Sequence, residues 1–169
     1  MIEENLILYL PFDDADGSGV AYDYSSQRDD AVIFGDACFS RNAMKGKSFE
    51  SNSGGARTSR AIPFSSDFTL ILYVMPVSDK LGWLLNLPGI DNYLEQWMDV
   101  TPNHWISLVF QKRDGLFTVY ENLIEVYSAH LTAVPVGLSI NDMVLMSETH
   151  ALIDELELYD KAIPLSEIR

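Results

Sequence analysis

The chain has 169 residues, 47% hydrophobic and 21% charged, a globular composition long enough for one domain over residues 1–169 to bury its own core. Eleven basic residues against 25 acidic ones give a net charge of −14, which argues against direct nucleic-acid binding, since that needs a basic face. A single cysteine, Cys38, excludes an intrachain disulfide and a cysteine-rich metal site, and no apolar run approaches the ~20 residues that cross a membrane as a helix.

The opening "MIEENLILYLPFDD" lacks the basic region and long apolar stretch of a secretory signal, so export by one is not expected. Within it, Asn5–Phe12 reads as the first strand, punctuated by "DADGSG". "DDAVIFGD", "KSFES" and "ARTSRAIPF" follow as short strands between turn residues, with Cys38 in "ACFS" read as core. The stretch Phe68–Val77, "FTLILYVMPV", is apolar at both parities, so both its faces are expected to be covered, by a second sheet or by a neighbouring subunit in a homo-oligomer. "GWLLNLP" and "NYLEQWMDV" come next. His104–Lys112 alternates Ile106, Leu108 and Phe110 on one side. "LFTVYENLIEVYS" reads as two strands around a tight turn near Asn122, and "PVGLSI" and "ALIDELELYD" complete the set. Only "PLSEIR" has a helical turn, with Pro164 suited to its start. An all-β chain of this length must pack two sheets or close a barrel.

Charge is uneven along the chain. Met1–Asp36 carries nine acids against Arg28 alone, the stretch from Arg41 to Arg60 is basic, and the C-terminal segment is acidic again. Four carboxylates crowd into "DELELYD": Asp154, Glu155, Glu157 and Asp160. Strict alternation puts Leu152, Asp154, Leu156 and Leu158 on one face, with Ile153, Glu155 and Glu157 on the other. Asp154 on an apolar face must find a partner, a cation, a buried arginine or backbone amides. Glu155 and Glu157, ~7 Å apart as same-face neighbours, have a spacing compatible with a glycosidase pair, but are expected to be solvated.

Several segments, in order, resemble the concanavalin A-like jelly-roll superfamily, in particular its laminin G-like and pentraxin-like modules. "LYLPFDDADGSGVAYDYSS" is similar to the opening strand and loop, "GKSFES" and "DFTLILYVMP" to two inner strands, "HWISLVFQKRDGLFTVYEN" to the Trp-containing strand and hairpin, and "ALIDELELYDKAIPLSEI" to the closing strand. The resemblance implies a two-sheet antiparallel jelly-roll sandwich with first and last strands side by side. It also implies a structural Ca²⁺ held by Asp23 and Asp154, with backbone carbonyls from Ser26–Asp30. Two departures stand out: Leu123 occupies the usual glycine position of the hairpin, so that either the turn differs or Asn122 alone is left-handed, and "DYSS" lacks the usual following glycine.

Trp97 in "YLEQWMD" is the candidate sugar-stacking residue, with Asn122 as a second ligand-binding candidate, while Trp105 falls at a core position. His104, His130 and His150 have no metal-ligand spacing. No catalytic set is evident. The leading expectation is therefore a non-enzymatic binding or structural module of a bacteriophage virion (capsid decoration, fibre or tail-associated), contacting glycans or other proteins and not inserted in a membrane. A carbohydrate-binding lectin domain and a glycoside hydrolase using Glu155 and Glu157 are the alternatives.

Overall fold

The computed structural model describes residues 3–58, 62–63, 67–77, 85–86, 102–130, 139–140, 144–145 and 150–168. Fifteen strands are found among them: β1 Leu6–Leu10, β2 Val20–Ala21, β3 Ala31–Phe34, β4 Cys38–Ser40, β5 Ser48–Ser51, β6 Gly55–Thr58, β7 Ile62–Pro63, β8 Phe68–Pro76, β9 Leu85–Asn86, β10 Ile106–Arg113, β11 Leu116–Glu121, β12 Ile124–His130, β13 Ser139–Ile140, β14 Val144–Leu145 and β15 Ala151–Tyr159. The expected helical turn is a short 3-10 turn, Leu165–Glu167, entered from Pro164 with no side-chain cap.

The architecture is the expected two-sheet antiparallel jelly-roll sandwich. One sheet runs β12-β11-β10-β8-β15-β5-β4, with β1 also paired to β15; the other runs β2-β3-β6-β14-β9; a two-stranded pair, β13-β7, is separate. The core lies between the two large sheets. Leu8, Leu10, Phe49, Leu70, Leu72, Val74, Leu108, Phe110, Ile153, Leu156 and Leu158 of the first sheet meet the small side chains Ala21, Ala31 and Ala56 of the second. Small residues facing large ones let the layers interdigitate at native density.

β15 is central, and its faces differ from those that strict alternation predicts. On one flank it pairs with β8 throughout; on the other it pairs with β5 over Ala151–Ile153 and with β1 over Leu156–Tyr159. Where the partner changes, the register with β8 jumps from Asp154↔Tyr73 to Glu157↔Ile71, and Glu155 takes a left-handed φ of 49°. This is a β-bulge, and an extra residue reverses the parity of everything beyond it. Ile153 thus shares the core face with Leu156 and Leu158, while Leu152 and Asp154 turn to the outer face with Glu157 and Tyr159.

The hairpin between β11 and β12 is also resolved. Both Asn122 (φ 52°) and Leu123 (φ 65°) are left-handed. A two-residue loop that matches the twist of its strands needs positive φ at both positions, so Leu123 adopts the conformation usually given to glycine. The Asn122 amide donates to the Ser107 carbonyl (2.8 Å), and its side-chain Oδ1 accepts from the Ser107 amide (3.0 Å), which latches the turn to β10.

Candidate functional site

The outer face of the large sheet is apolar near its middle because β8 presents Thr69, Ile71, Tyr73 and Met75 there. Part of this face is roofed by the chain after β15. Thr69 Oγ1 donates to the Lys161 carbonyl (2.7 Å) and accepts from the Ile163 amide (3.0 Å), and Gln111 Nε2 donates to the Ile163 carbonyl (2.7 Å). Ile163 and Ile168 are buried there with Leu6, Val109 and Tyr159. Both faces of β8 are therefore covered in part, the outer one by the chain's own C-terminal segment.

Beside this roof the face opens into a groove of about 730 Å³. Its walls are Met44 and Lys45 on one side, Ile163, Ser166, Glu167 and Ile168 on the other, and Ile71, Tyr73, Glu155, Glu157 and Tyr159 along the sheet. The two glutamates are half-buried, not freely solvated as the sequence reading has it. Each is held by a tyrosine hydroxyl: Tyr9 donates to Glu155 Oε2 (2.7 Å), and Tyr159 donates to Glu157 Oε2. Glu155 Oε1 is buried without a hydrogen-bond partner among the described residues. Burial pushes the Glu155 carboxyl above the usual carboxylate range, helped by the Asp13 and Glu157 charges and opposed by the Tyr9 bond and by Lys45. Both tyrosine hydroxyls are raised by burial first and by their glutamate partners second.

The bulge creates this arrangement. Tyr9 of β1 lies directly across from Glu157, and the bulge brings Glu155 within reach of the Tyr9 hydroxyl. The signal was present in the sequence as Tyr73 on the second parity of an aliphatic strand and as Glu157 two residues before Tyr159. The bulge that unites them left none, because a left-handed Glu155 does not announce itself as a glycine would.

The two carboxylates expected to share Ca²⁺ do not fit that role. Asp23 is fully buried, and its carboxylate accepts from the amides of Tyr9 (2.9 Å), Ser25 (2.8 Å) and Asp29 (2.8 Å) and from Ser25 Oγ (2.8 Å). That occupies its roughly four acceptor sites. Asp154, also fully buried, accepts from the amides of Met44, Lys45 and Glu155 at 2.8–2.9 Å. A calcium shell takes six to eight oxygens; here N–H and O–H donors have claimed the lone pairs, and the two carboxylates share no partner. Among the described residues no three His, Cys, Asp or Glu side chains form a metal-ligand group. Of the partners weighed for Asp154, backbone amides are the ones it has. Burial pushes its carboxyl up to about 6, against the opposing pull of those amides.

Asp154 thereby pins the 44–45 loop that walls the groove. The same loop is tied to the acidic N-terminal region: the Lys47 amide donates to Asp13 Oδ1 (2.7 Å), and its Nζ donates to the Asp14 carbonyl (2.9 Å) and lies 3.3 Å from Asp16 Oδ1. Gly46 permits this close approach, since a Cβ there would sit 2.2 Å from Asp13 Oδ1. Elsewhere Asp36 accepts from the amides of Asn52, Ser53 and Gly54, which hold its carboxyl down at about 2. Much of the chain's acidity thus serves as anions for loop amides.

Of the remaining sequence candidates, Trp97 lies outside the described residues. Asn122 is exposed, but its side-chain oxygen is engaged in the hairpin latch. Trp105 is half-buried. Cys38, expected in the core, is exposed, because in the short strand β4 it is Phe39 that packs against the core. His104 and His130 are exposed, and His150 lies 3.7 Å from Glu50. No helix among the described residues is long and apolar enough to cross a membrane.

Fold and groove together define a jelly-roll-like β-sandwich with an open, aromatic and acidic trough on one sheet. Solved structures of this class include similar ones. Domain 4 of AbnA, a GH43 extracellular arabinanase from Geobacillus stearothermophilus in complex with arabinotriose, matches with a TM-score of 0.72, 18% identity and 96% of each chain covered. A structure of botulinum neurotoxin type C, described as dependent on two ganglioside molecules for cell entry, matches at 0.75 with 11% identity, over 99% of this chain and 50% of that one. The botulinum neurotoxin serotype D ligand-binding domain in complex with N-acetylneuraminic acid matches at 0.71 with 10% identity and the same coverage. The chain thus spans about half the length of the toxin structures. No protein-family model matches the sequence, and no curated protein matches it.

Proposed function

We propose that this chain is a non-catalytic glycan-binding module that seats a saccharide in the groove between the Met44–Lys45 loop and the Ile163–Ile168 segment. The observation that carries it is the pairing, in one trough, of tyrosines with carboxylate acceptors: Tyr73 and Tyr159 beside Glu155 and Glu157. Sugars present an apolar ring face and a rim of hydroxyls; aromatic side chains complement the first, and carboxylate oxygens accept hydrogen bonds from the second. The volume of about 730 Å³ lies within the usual range for small-molecule sites, ~300–1,000 Å³. Arabinotriose, sialic acid and ganglioside binding by proteins of similar fold supports the reading. Membership of the laminin G-like or pentraxin-like branch, and mounting on a virion or another assembly, belong to the same proposal as its wider setting. Electron microscopy of the source particle tests the latter.

A glycan array tests the binding itself. Binding that disappears in Tyr73→Ala supports the groove, and an array empty of signal for the folded protein overturns it. The raised carboxyl of Glu155 beside Glu157 favours a second reading, a glycoside hydrolase, because acid and base roles go to carboxyls whose environments differ. Turnover of any array-positive glycan, lost in the double variant Glu155→Gln/Glu157→Gln, would establish that reading in place of simple binding.

A further inference from the structure

The charge of the groove determines which saccharides it can accept. Three of its lining residues are acidic, Glu155, Glu157 and Glu167, against one cation, Lys45, which is exposed at the rim. Asp13 adds to the negative field felt at Glu155. Tyr9 and Tyr159 already spend their hydroxyl protons on the two glutamates, so neither hydroxyl is left to donate to an incoming anion. With three carboxylates against one rim lysine, the trough carries negative potential, the reverse of an arginine-rich carboxylate clamp.

We propose that the groove selects saccharides without negative charge, with Glu155 and Glu157 accepting from sugar hydroxyls and sialic or uronic acids being turned away. The inference rests on the glycan-binding reading above. A cationic peptide would satisfy the charge as well, but would leave the tyrosine-lined floor without the flat, hydroxyl-bearing partner it suits. Like charges a few ångströms apart in a partly desolvated trough repel far more than in bulk water.

The test is an array of matched glycans, such as lactose-type and sialyl-lactose-type pairs and neutral against uronic oligosaccharides, run at low and high salt with the whole chain. The expected result is that neutral members bind and their acid-bearing counterparts bind at least about tenfold more weakly, a gap that narrows as salt screens it. In Glu155→Gln/Glu157→Gln, neutral binding should weaken and the gap should shrink. The salt series on the unaltered protein stands by itself if the double variant folds poorly. Acid-bearing glycans bound as tightly as their neutral partners, with both lost in Tyr73→Ala, would overturn the selectivity while leaving glycan binding intact. No glycan bound at all, or capture only of a lysine-rich peptide used as control, would overturn both.

Discussion

Asp23→Asn tests whether the opening loop is held by a carboxylate hub or by a metal. Asp23 is buried completely, and its four hydrogen bonds, all at 2.8–2.9 Å, join β1 at Tyr9 to the turn at Ser25 and Asp29. Asparagine keeps the shape. If its carbonyl oxygen replaces Oδ1, the bonds from the Tyr9 and Ser25 amides survive without the help of charge. Its amide nitrogen then replaces Oδ2; Ser25 Oγ can rotate to accept, but the Asp29 amide meets another donor. One charge-assisted bond is lost outright with its buried N–H stranded, about 1.5–3 kcal/mol, and the remaining bonds each weaken by a fraction of that. The sum is about 3–4 kcal/mol, a large part of the ~5–15 kcal/mol that stabilises a typical domain. Equilibrium urea unfolding followed by tryptophan fluorescence measures it. With a urea slope of ~2 kcal/mol/M the midpoint should fall by about 1.5–2 M, and a tight chelator should leave the parent midpoint in place. A loss below about 1 kcal/mol, or a parent midpoint that drops with chelator as far as the variant does, would refute the reasoning.

The other predictions concern the groove's supports and the pH response. Gly46→Ala should lower the melting temperature and cost about 1–3 kcal/mol, since its φ of 64° disfavours a Cβ that would also strike Asp13; an unchanged melting curve would show that the loop has room to shift. Leu123→Gly should raise stability by about 0.5–1 kcal/mol, the ~1–2 kcal/mol cost of a left-handed leucine less the extra chain entropy of glycine. Denaturant titration resolves this, and a loss would mean that the exposed leucine packs more than it strains. Because the folded Asp154 carboxyl titrates near about 6 instead of 3.8, the native state takes up its proton before the unfolded chain does. That contribution is present in full below the unfolded value and is lost as pH rises through about 6. Unfolding free energy should therefore increase as pH is lowered from 7.5 to about 5, by roughly 1–1.5 kcal/mol from Asp154, with Glu155 and Asp14 acting in the same direction. Asp154→Asn should flatten the slope, and stability falling over that interval would contradict the assignment.

The strands were legible in the sequence because each carries its period in its own residues. β8, β10 and the β11–β12 hairpin lie within a residue or two of the expected limits, and the neighbouring positions of β1 and β15 follow from the resemblance. The site was legible only in fragments. Alternation is a local rule, and a single unpaired residue at Glu155 inverts it, so Asp154 and Leu156 read as neighbours on one face when they lie on opposite ones. The bulge has a tertiary cause, the change of partner from β5 to β1, which no window of sequence contains. Asp154 was expected to need a partner, and that physical expectation holds. Which partner it found depends on a loop 110 residues earlier in the chain, Met44–Lys45, whose amide groups carry no sequence signal. Trp97 is a candidate because it falls in the stretch that departs from the resemblance, and it lies outside the described residues; the tyrosines of the groove, Tyr73 and Tyr159, read as ordinary strand residues.

The most direct measurement is chemical-shift mapping by amide NMR during titration with a neutral oligosaccharide chosen from the array. Perturbations confined to Met44, Lys45, Ile71, Tyr73, Glu155, Glu157 and the Ser166–Ile168 amides are the predicted result. Perturbations gathered on the second sheet around Val32 and Phe34, with the groove silent, would contradict the account.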